Sequence, residues 1–450
     1  MDLSRNKDFY RHLFRLMLPI FLQQLLKISV DTVDSLMLGS IDQIQMSALS
    51  QANQIFFVFS TICNGFSAGC CVLISQHWGK KDYESICTIA AHGLRIITVF
   101  GLIVSVLVGA FPQVFMRIYS SDPTIISIGA QHLRRISLMY TMFGISNMIF
   151  GISRGIEQVR IILASNIVSY SVNILLDYLL IFGRFGFPEL GIRGVAIGTV
   201  IARFIEFLFC GIFFLKEPSI PFMWKDLKRS DPKLRKALIK VSAPIVAHEI
   251  VWSLGTSSGA MITGQLGKSA VAGYNVMYVL YELCATVGNG FSTAANVVLG
   301  MTLGRSEKEE AKRQAHSILA IALAIGFTMS AITLLVRDGF LSLYSLDPDA
   351  LHYAKQFILI IACIWPFSLI EMVTMVSILR AGGEGQIGFY TDIVVMWMIC
   401  IPLAAFCAFR LHTEPWIVVA IIKNIIVLEA IVGIIKVYTY KWVKDLTTDQ

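Results

Sequence analysis

Apolar blocks divide this chain into twelve candidate spans, near 14–38, 46–78, 86–112, 124–152, 159–182, 191–215, 237–263, 269–303, 311–336, 350–379, 387–408 and 415–435. Several exceed the roughly 20 residues needed to cross a bilayer. Acyl chains offer backbone groups no partners, so only helices and closed barrels can span. The blocks are long and do not alternate, which selects helices. Composition agrees: 56% of the 450 residues are hydrophobic and 15% are charged, where a soluble domain carries about a quarter charged residues. The expected fold class is an all-α membrane protein of twelve transmembrane helices. The polar first ten residues lead into no short apolar core with a small-residue cleavage site, so no cleaved leader is expected. The nine Cys form no metal-binding spacing and read as small apolar packing residues.

The net charge of +7 is a topology signal. Arg and Lys crowd alternate loops: Arg5 to Arg15, Lys80, Lys81, Arg95, Arg154, Arg160, Arg305 to Arg313, Arg380, the 216–240 connector and the tail. The opposite loops carry only Arg117, Arg184, Arg193, Lys268, Arg337 and Arg410. The bias places both termini in the cytoplasm and makes a nucleic-acid partner unnecessary.

The chain also repeats itself. At an offset of 225 residues, Pro19 matches Pro244, Asn64-Gly65-Phe66-Ser67 matches Asn289-Gly290-Phe291-Ser292, and Asp122-Pro123 matches Asp347-Pro348. Each half holds six spans in one orientation, giving two six-helix bundles, 1–215 and 241–450, joined by a basic cytoplasmic connector and hinge at 216–240. Parallel repeats are a transporter architecture with the site where the halves meet.

Ionisable residues inside spans are costly and mark function by default. The first span carries Lys27, Asp31 and Asp34 on one helical face. Lys27 and Asp31 form a local ion pair, or Lys27 competes with a cation for both acids. The second half embeds Glu249, Glu282, Glu371, Asp392 and Glu429. Asn275, Glu282 and Asn289 repeat every seven residues, with Tyr278 and Tyr281 beside them. Such a carboxylate with aromatic neighbours suits a lipophilic cation. Arg203 and Glu206, three apart, pair with each other. Pro19, Pro244, Pro366 and Pro402 fall inside spans, as fixed bends or hinges.

VDSLMLG (33–39), NGFSAG (64–69), NILLDYLLIFG (173–183), GVAIGTVIA (194–202), HEIVWSLGT (248–256) and SILRAGGEG (377–385), in this order and with the repeat, resemble the multidrug and toxic compound extrusion (MATE) family, in its bacterial branch. The resemblance implies a cation-coupled antiporter that alternates between outward- and inward-open states. It also implies a cation site of Asp34, Asn173, Asp177 and Thr199. Depth agrees: Asp34 and Asp177 lie roughly 7–9 Å, and Thr199 roughly 12 Å, below the outer helix ends. Asn173 and Asp177 share a face, with Asn166 seven residues earlier. Oxygen ligands suit Na⁺; the same carboxylates could instead hold a proton.

The substrate cavity is expected to include Glu249, Glu282, Asn275, Tyr278, Asp31, Lys27, Glu371 and Asp392. No enzyme constellation is present, and GEG at 383–385 lacks the residues of a phosphate loop. No cofactor is expected beyond Na⁺ or H⁺ as coupling ion. The reading is a secondary antiporter of the bacterial inner membrane, acting as a monomer and exporting amphipathic or cationic organic compounds. A lipid-linked oligosaccharide flippase of the same superfamily would need a cationic cavity, whereas the embedded charges here are mainly acidic. A non-transporting membrane receptor would not need paired lobes.

Overall fold

A computed structural model describes residues 3, 4, 6–38, 43–220 and 222–448, without the side chains of residues 31, 32, 34–36, 38, 43 and 224. Among the described residues, twelve helices are long and apolar enough to cross a membrane, and none of these residues is in a strand. They are α1 (Lys7–Leu38), α2 (Gln43–Lys80), α3 (Tyr83–Ala110), α4 (Pro123–Gly155), α5 (Val159–Phe182) and α6 (Ile192–Leu215). Then follow α7 (Pro232–Thr263), α8 (Lys268–Gly304), α9 (Lys308–Leu341), α10 (Pro348–Ala381), α11 (Gln386–Phe409) and α12 (Pro415–Tyr438). Each matches one expected span.

The 225-residue repeat is visible in the packing itself. Ser67 Oγ donates to the Asn147 carbonyl at 2.7 Å, and Ser292 Oγ donates to the Met372 carbonyl at 2.8 Å. Asp122 and Asp347 cap α4 and α10 by accepting from amides of the first turn, which supplies orphan N–H groups with partners. A Cβ on Gly101 of α3 would lie 3.0 Å from Thr141 Cα of α4; on Gly326 of α9 it would lie 2.6 Å from Pro366 Cα of α10. Lipid tails are as apolar as side chains, so membrane helices associate through such close backbone approach and interhelical hydrogen bonds. Both repeats therefore build the same helix pair with the same device. All nine Cys are free and eight are buried.

Two compact units emerge, but not at the boundaries of the repeat. One comprises Leu22–Ser242; the other comprises Met1–Phe21 with Ala243–Gln450. The first half of α1 thus belongs with the second repeat. The Ser4 amide donates to Ser317 Oγ at 2.9 Å and its hydroxyl donates to Glu310 Oε1 at 2.6 Å, while Tyr10 donates to the Ser4 carbonyl at 2.9 Å. Gly290 of α8 admits the Phe21 backbone, 3.1 Å from where a Cβ would stand.

The connector is strapped to the first unit. Arg95 of α3 donates to the Arg229 carbonyl at 2.6 Å, and the Asp231 amide donates to His92 Nε2 at 3.2 Å. Asp226, buried, accepts from the Met223 amide at 2.6 Å and from Arg229 Nε at 2.7 Å. Phe222 packs on Phe214 of α6, with ring centroids 5.0 Å apart. Burial alone would raise the Asp226 pKa. The Met223 amide and the Arg229 guanidinium outweigh it and hold the carboxyl below its usual range.

Two outcomes are expected. Gly326→Val should destabilise the α9–α10 pair by roughly 1–3 kcal/mol, as overpacking does. Gly339→Ala on the same helix, where nothing lies within 4 Å, should not; thermal melting in detergent compares them. A depressed carboxyl contributes stability above its unfolded pKa and loses it as pH falls through the folded value. The melting difference between the unsubstituted chain and Asp226→Asn should be full at pH 7 and shrink below about pH 4.

Candidate functional site

In the first unit, α5 and α6 meet along small residues. A Cβ on Gly194 would fall 2.8 Å from the Leu180 carbonyl oxygen, and one on Gly198 would overlap Asp177 Oδ1. The glycine at 198 is what lets the buried Asp177 carboxyl lie against the α6 backbone. Asn173, one turn earlier on α5, donates to Asp177 Oδ2 at 3.1 Å. Ser169, a further turn back, donates to the Ala202 carbonyl at 3.1 Å. Asn173 and Thr199 line a cavity of about 20 Å³ with Ser169, Tyr170, Ala202 and Arg203. That volume holds one water-sized guest. Arg203 pairs with the buried Glu206 at 2.6 Å and stands 5.5 Å from the Phe143 ring centre.

Three of the four expected cation-site residues, Asn173, Asp177 and Thr199, are therefore close neighbours. Asn166 is buried on the same helix. The side chains of Asp34 and Asp31 lie outside the described residues. Lys27 is exposed on α1.

The second unit holds a larger acidic network. Arg380, at the end of α10, donates through Nη2 to Glu249 Oε1 at 2.8 Å and lies 2.9 Å from His248 Nδ1. His248 Nε2 faces Asp392 Oδ2 of α11 at 3.6 Å. Asp392 adjoins Glu429 of α12, and Glu371 of α10 lies within electrostatic reach of both. Two helices widen to π-type turns here, over Met372–Ile378 directly after Glu371 and over Asp392–Cys400 starting at Asp392. Such turns recur at functional sites. Four carboxyl groups face one guanidinium and one imidazole, so the network favours an added positive charge. Among the described residues no three His, Cys, Asp or Glu side chains are set to hold one metal ion.

A third cluster lines α8. Tyr274, Tyr278 and Tyr281 form a ladder with centroid spacings of 6.3 and 6.4 Å, and Tyr281 stacks on Trp365 of α10 at 5.1 Å. The Lys423 ammonium of α12 stands 4.1 Å from the Tyr281 centroid. Glu282 lies beside Tyr278 and acts on Lys423. Asn275 and Asn289 are exposed on the same helix.

Sequence reading missed His248, Arg380 and Lys423. Arg380 was counted among loop cations because the GGEG turn follows it; the fold turns its side chain inward, leaving it 4% exposed. Lys423 is a lone cation eight residues into α12, and the cost of an embedded charge marks it as it marks the acids. Pro19, Pro244 and Pro366 sit within helices that continue through them.

Comparison with known proteins fits this architecture. The MatE family model matches residues 19–179 and 244–406, one match per repeat. The chain is 24% identical over 405 residues to a probable multidrug resistance protein NorM of Thermotoga maritima, covering 88% of this chain and 84% of that one. It is 22% identical to multidrug resistance protein MdtK of Edwardsiella ictaluri, covering 90% and 89%. Among solved structures it superposes on an outward-facing multidrug resistance MATE family transporter of the MOP superfamily. The TM-score is 0.86 at 16% identity, over 98% of this chain and all of that one. Two parallel repeats, twelve spans and a family match through both halves lead to one conclusion: the chain belongs to the multidrug and toxic compound extrusion (MatE) family of membrane transporters.

Proposed function

We propose that this chain is a cation-coupled antiporter that exports amphipathic or cationic organic compounds across the bacterial inner membrane, with both termini cytoplasmic and the monomer as the working unit. The observation that carries the reading is the Asn173–Asp177 pair beside the Thr199-lined cavity. The Asn173 amide and the Thr199 hydroxyl line the water-sized space, and the buried Asp177 carboxyl accepts from that amide; this set suits a small cation, Na⁺ or H⁺, in a space too small for an organic one. In this reading Asp34 of α1, whose side chain lies outside the described residues, is the fourth ligand.

The sign of the embedded charge supports a cationic cargo over a lipid pyrophosphate. The basic groups Arg203, Arg380 and Lys423 each lie against an acid: Glu206, Glu249 and Glu282. Asp177, Glu371, Asp392 and Glu429 stand outside those three pairs. The relatives named above, as multidrug resistance proteins, favour the same reading.

Cation and cargo must bias opposite conformations for exchange to be coupled. In proteoliposomes with ΔpH and the Na⁺ gradient varied separately, Asp34→Asn and Asp177→Asn should each lower gradient-driven export about tenfold or more. That corresponds to a lost coupling energy of roughly 1–3 kcal/mol. Undiminished export in both variants would sink the site.

The acidic network predicts a different pattern. Arg380→Gln leaves Glu249 without its main counter-charge, and truncating one partner of a buried pair costs about 3–5 kcal/mol. Glu249 is 26% exposed, so solvent should reduce this to about 1–3 kcal/mol. Adding Glu249→Gln should recover much of the loss, and thermal melting of both variants measures it.

A further inference from the structure

The unusual feature of the aromatic ladder is that a cation already occupies it. Lys423 is 9% exposed and projects from α12 onto the Tyr281 ring. The ring is held in place from behind its edge. Trp365 stacks on it with planes 15° apart, and the Trp365 indole donates to Thr333 Oγ1 at 3.0 Å with no exposed surface of its own. From this fixed end the ladder runs outward along one face of α8. Tyr278 follows one turn away and is 45% exposed, and Tyr274 continues the row with planes 20° apart. Glu282, half-buried, supplies the carboxylate beside it.

Stability alone is a weak reason for this arrangement. A buried ion pair is often no better than apolar residues of the same volume. A cation over an aromatic face gains about 0.5–2 kcal/mol, which only offsets part of the cost of removing an ammonium from water. What the arrangement does provide is neutrality in the absence of a guest. The lysine stem has four rotatable carbons, and its ammonium can leave one site and be rehydrated elsewhere.

We infer that Lys423 is a resident cation that competes with an organic cation for the Tyr281 face and Glu282, and so sets which cations this lobe accepts. An incoming cation has to displace the ammonium, and it gains the ring and carboxylate that Lys423 gives up. A planar aromatic cation gains more, because its plane can stack along Tyr278 and Tyr274. An alkylammonium of equal charge has only the contacts it takes from Lys423 and cannot displace it with profit. The ladder with its lysine thereby selects planar aromatic cations. The inference rests on the proposed export of organic cations and adds the group that governs their selection.

The test is equilibrium binding of ethidium, a planar aromatic monocation, to the purified full chain in detergent without any gradient. Lys423→Met should bind ethidium about tenfold more tightly, since a competing contact of 1–2 kcal/mol is removed. Lys423→Arg keeps the charge and stacks on the ring at least as well as the ammonium, and should bind ethidium no more tightly than the unsubstituted chain does. Glu282→Gln should bind more weakly. Tetraethylammonium should gain a similar factor from Lys423→Met, enough to bring its binding into the measurable range. A measurement on the unsubstituted chain needs no variant to fold: acetylation of Lys423 by acetic anhydride, read by peptide mass spectrometry, should rise when ethidium is bound. Unchanged or weaker ethidium binding by folded Lys423→Met, or acetylation that does not rise, overturns the inference even if the chain exports ethidium. A chain that neither binds nor exports organic cations overturns the proposed cargo, and this inference with it.

Discussion

A charge placed among apolar helices must find its opposite inside the bundle, because neither lipid nor bulk water will solvate it. The embedded polar chemistry of this chain is arranged under that constraint. Arg203 finds Glu206, Arg380 finds Glu249 and His248, and Lys423 finds Tyr281 and Glu282. Each pairing ties two positions together, and in the second unit the pairings link helices: α7 to α10, and α12 to α8. In the second unit Glu371, Asp392 and Glu429 stand outside the Arg380 and Lys423 pairings, and under the proposed function they bias that bundle toward cations.

The constraint acts on a scaffold that is built twice. Helices in a membrane gain little from burying apolar surface against one another, so close approach at small residues and bonds to backbone carbonyls set their positions. The Ser67 and Ser292 bonds, the Gly101 and Gly326 approaches and the Asp122 and Asp347 caps recur 225 positions apart. These positions fix helix geometry and leave chemistry free to diverge. Gly259 occupies the place in α7 that Asp34 has in α1. It is buried, and a Cβ there would already stand 3.3 Å from Ile422. A side chain there would need Ile422 to shift, and the second repeat carries its carboxyls elsewhere on the same frame.

Those differences explain what could be read in advance. Span number and the repeat depend on hydropathy and on short identities such as NGFS, both of which are local and additive along the chain. The neighbours Asn173 and Asp177 follow from helical spacing, and Thr199 joins them through the Gly194 and Gly198 contacts between α5 and α6. Arg380 could not be placed this way. Loop cations and embedded cations look alike within three residues of a turn, and only the inward direction of the side chain separates them. The unit boundaries were hidden for another reason. The repeat assigns all of α1 to the first half, but Ser4 and Tyr10 bond to one another and to Ser317 and Glu310 of α9, three hundred residues away in the chain. The strapping of the connector by Arg95 and His92 is likewise a tertiary fact, since 216–240 reads only as a basic, polar stretch. The wide turns at Glu371 and Asp392 leave no sequence mark beyond the acids themselves.

The asymmetry between the repeats bears on how exchange would be coupled. The cavity beside Thr199 has the volume for a dehydrated small ion, whereas the Tyr274–Tyr281 ladder has the length for an organic plane. Under the proposed function, ion and cargo then act in different units. Coupling between them is a difference in how each biases a shared equilibrium, and it must be reciprocal. The chain passes between the units at two points, Phe21 to Leu22 and Ser242 to Ala243. Both points lie inside long helices, α1 and α7, and both lie two residues from a proline, Pro19 or Pro244. A proline removes one rung of the hydrogen-bond ladder and softens a helix locally. The repeat has thus placed its weakest helical positions where the covalent path crosses from one unit to the other. α1 also carries Asp34 on the far side of its crossing, and α7 carries Glu249 just beyond its own. An ion held at one carboxyl and a cation held near the other would each load a helix that belongs to both units, which is the minimum mechanical requirement for one site to sense the other.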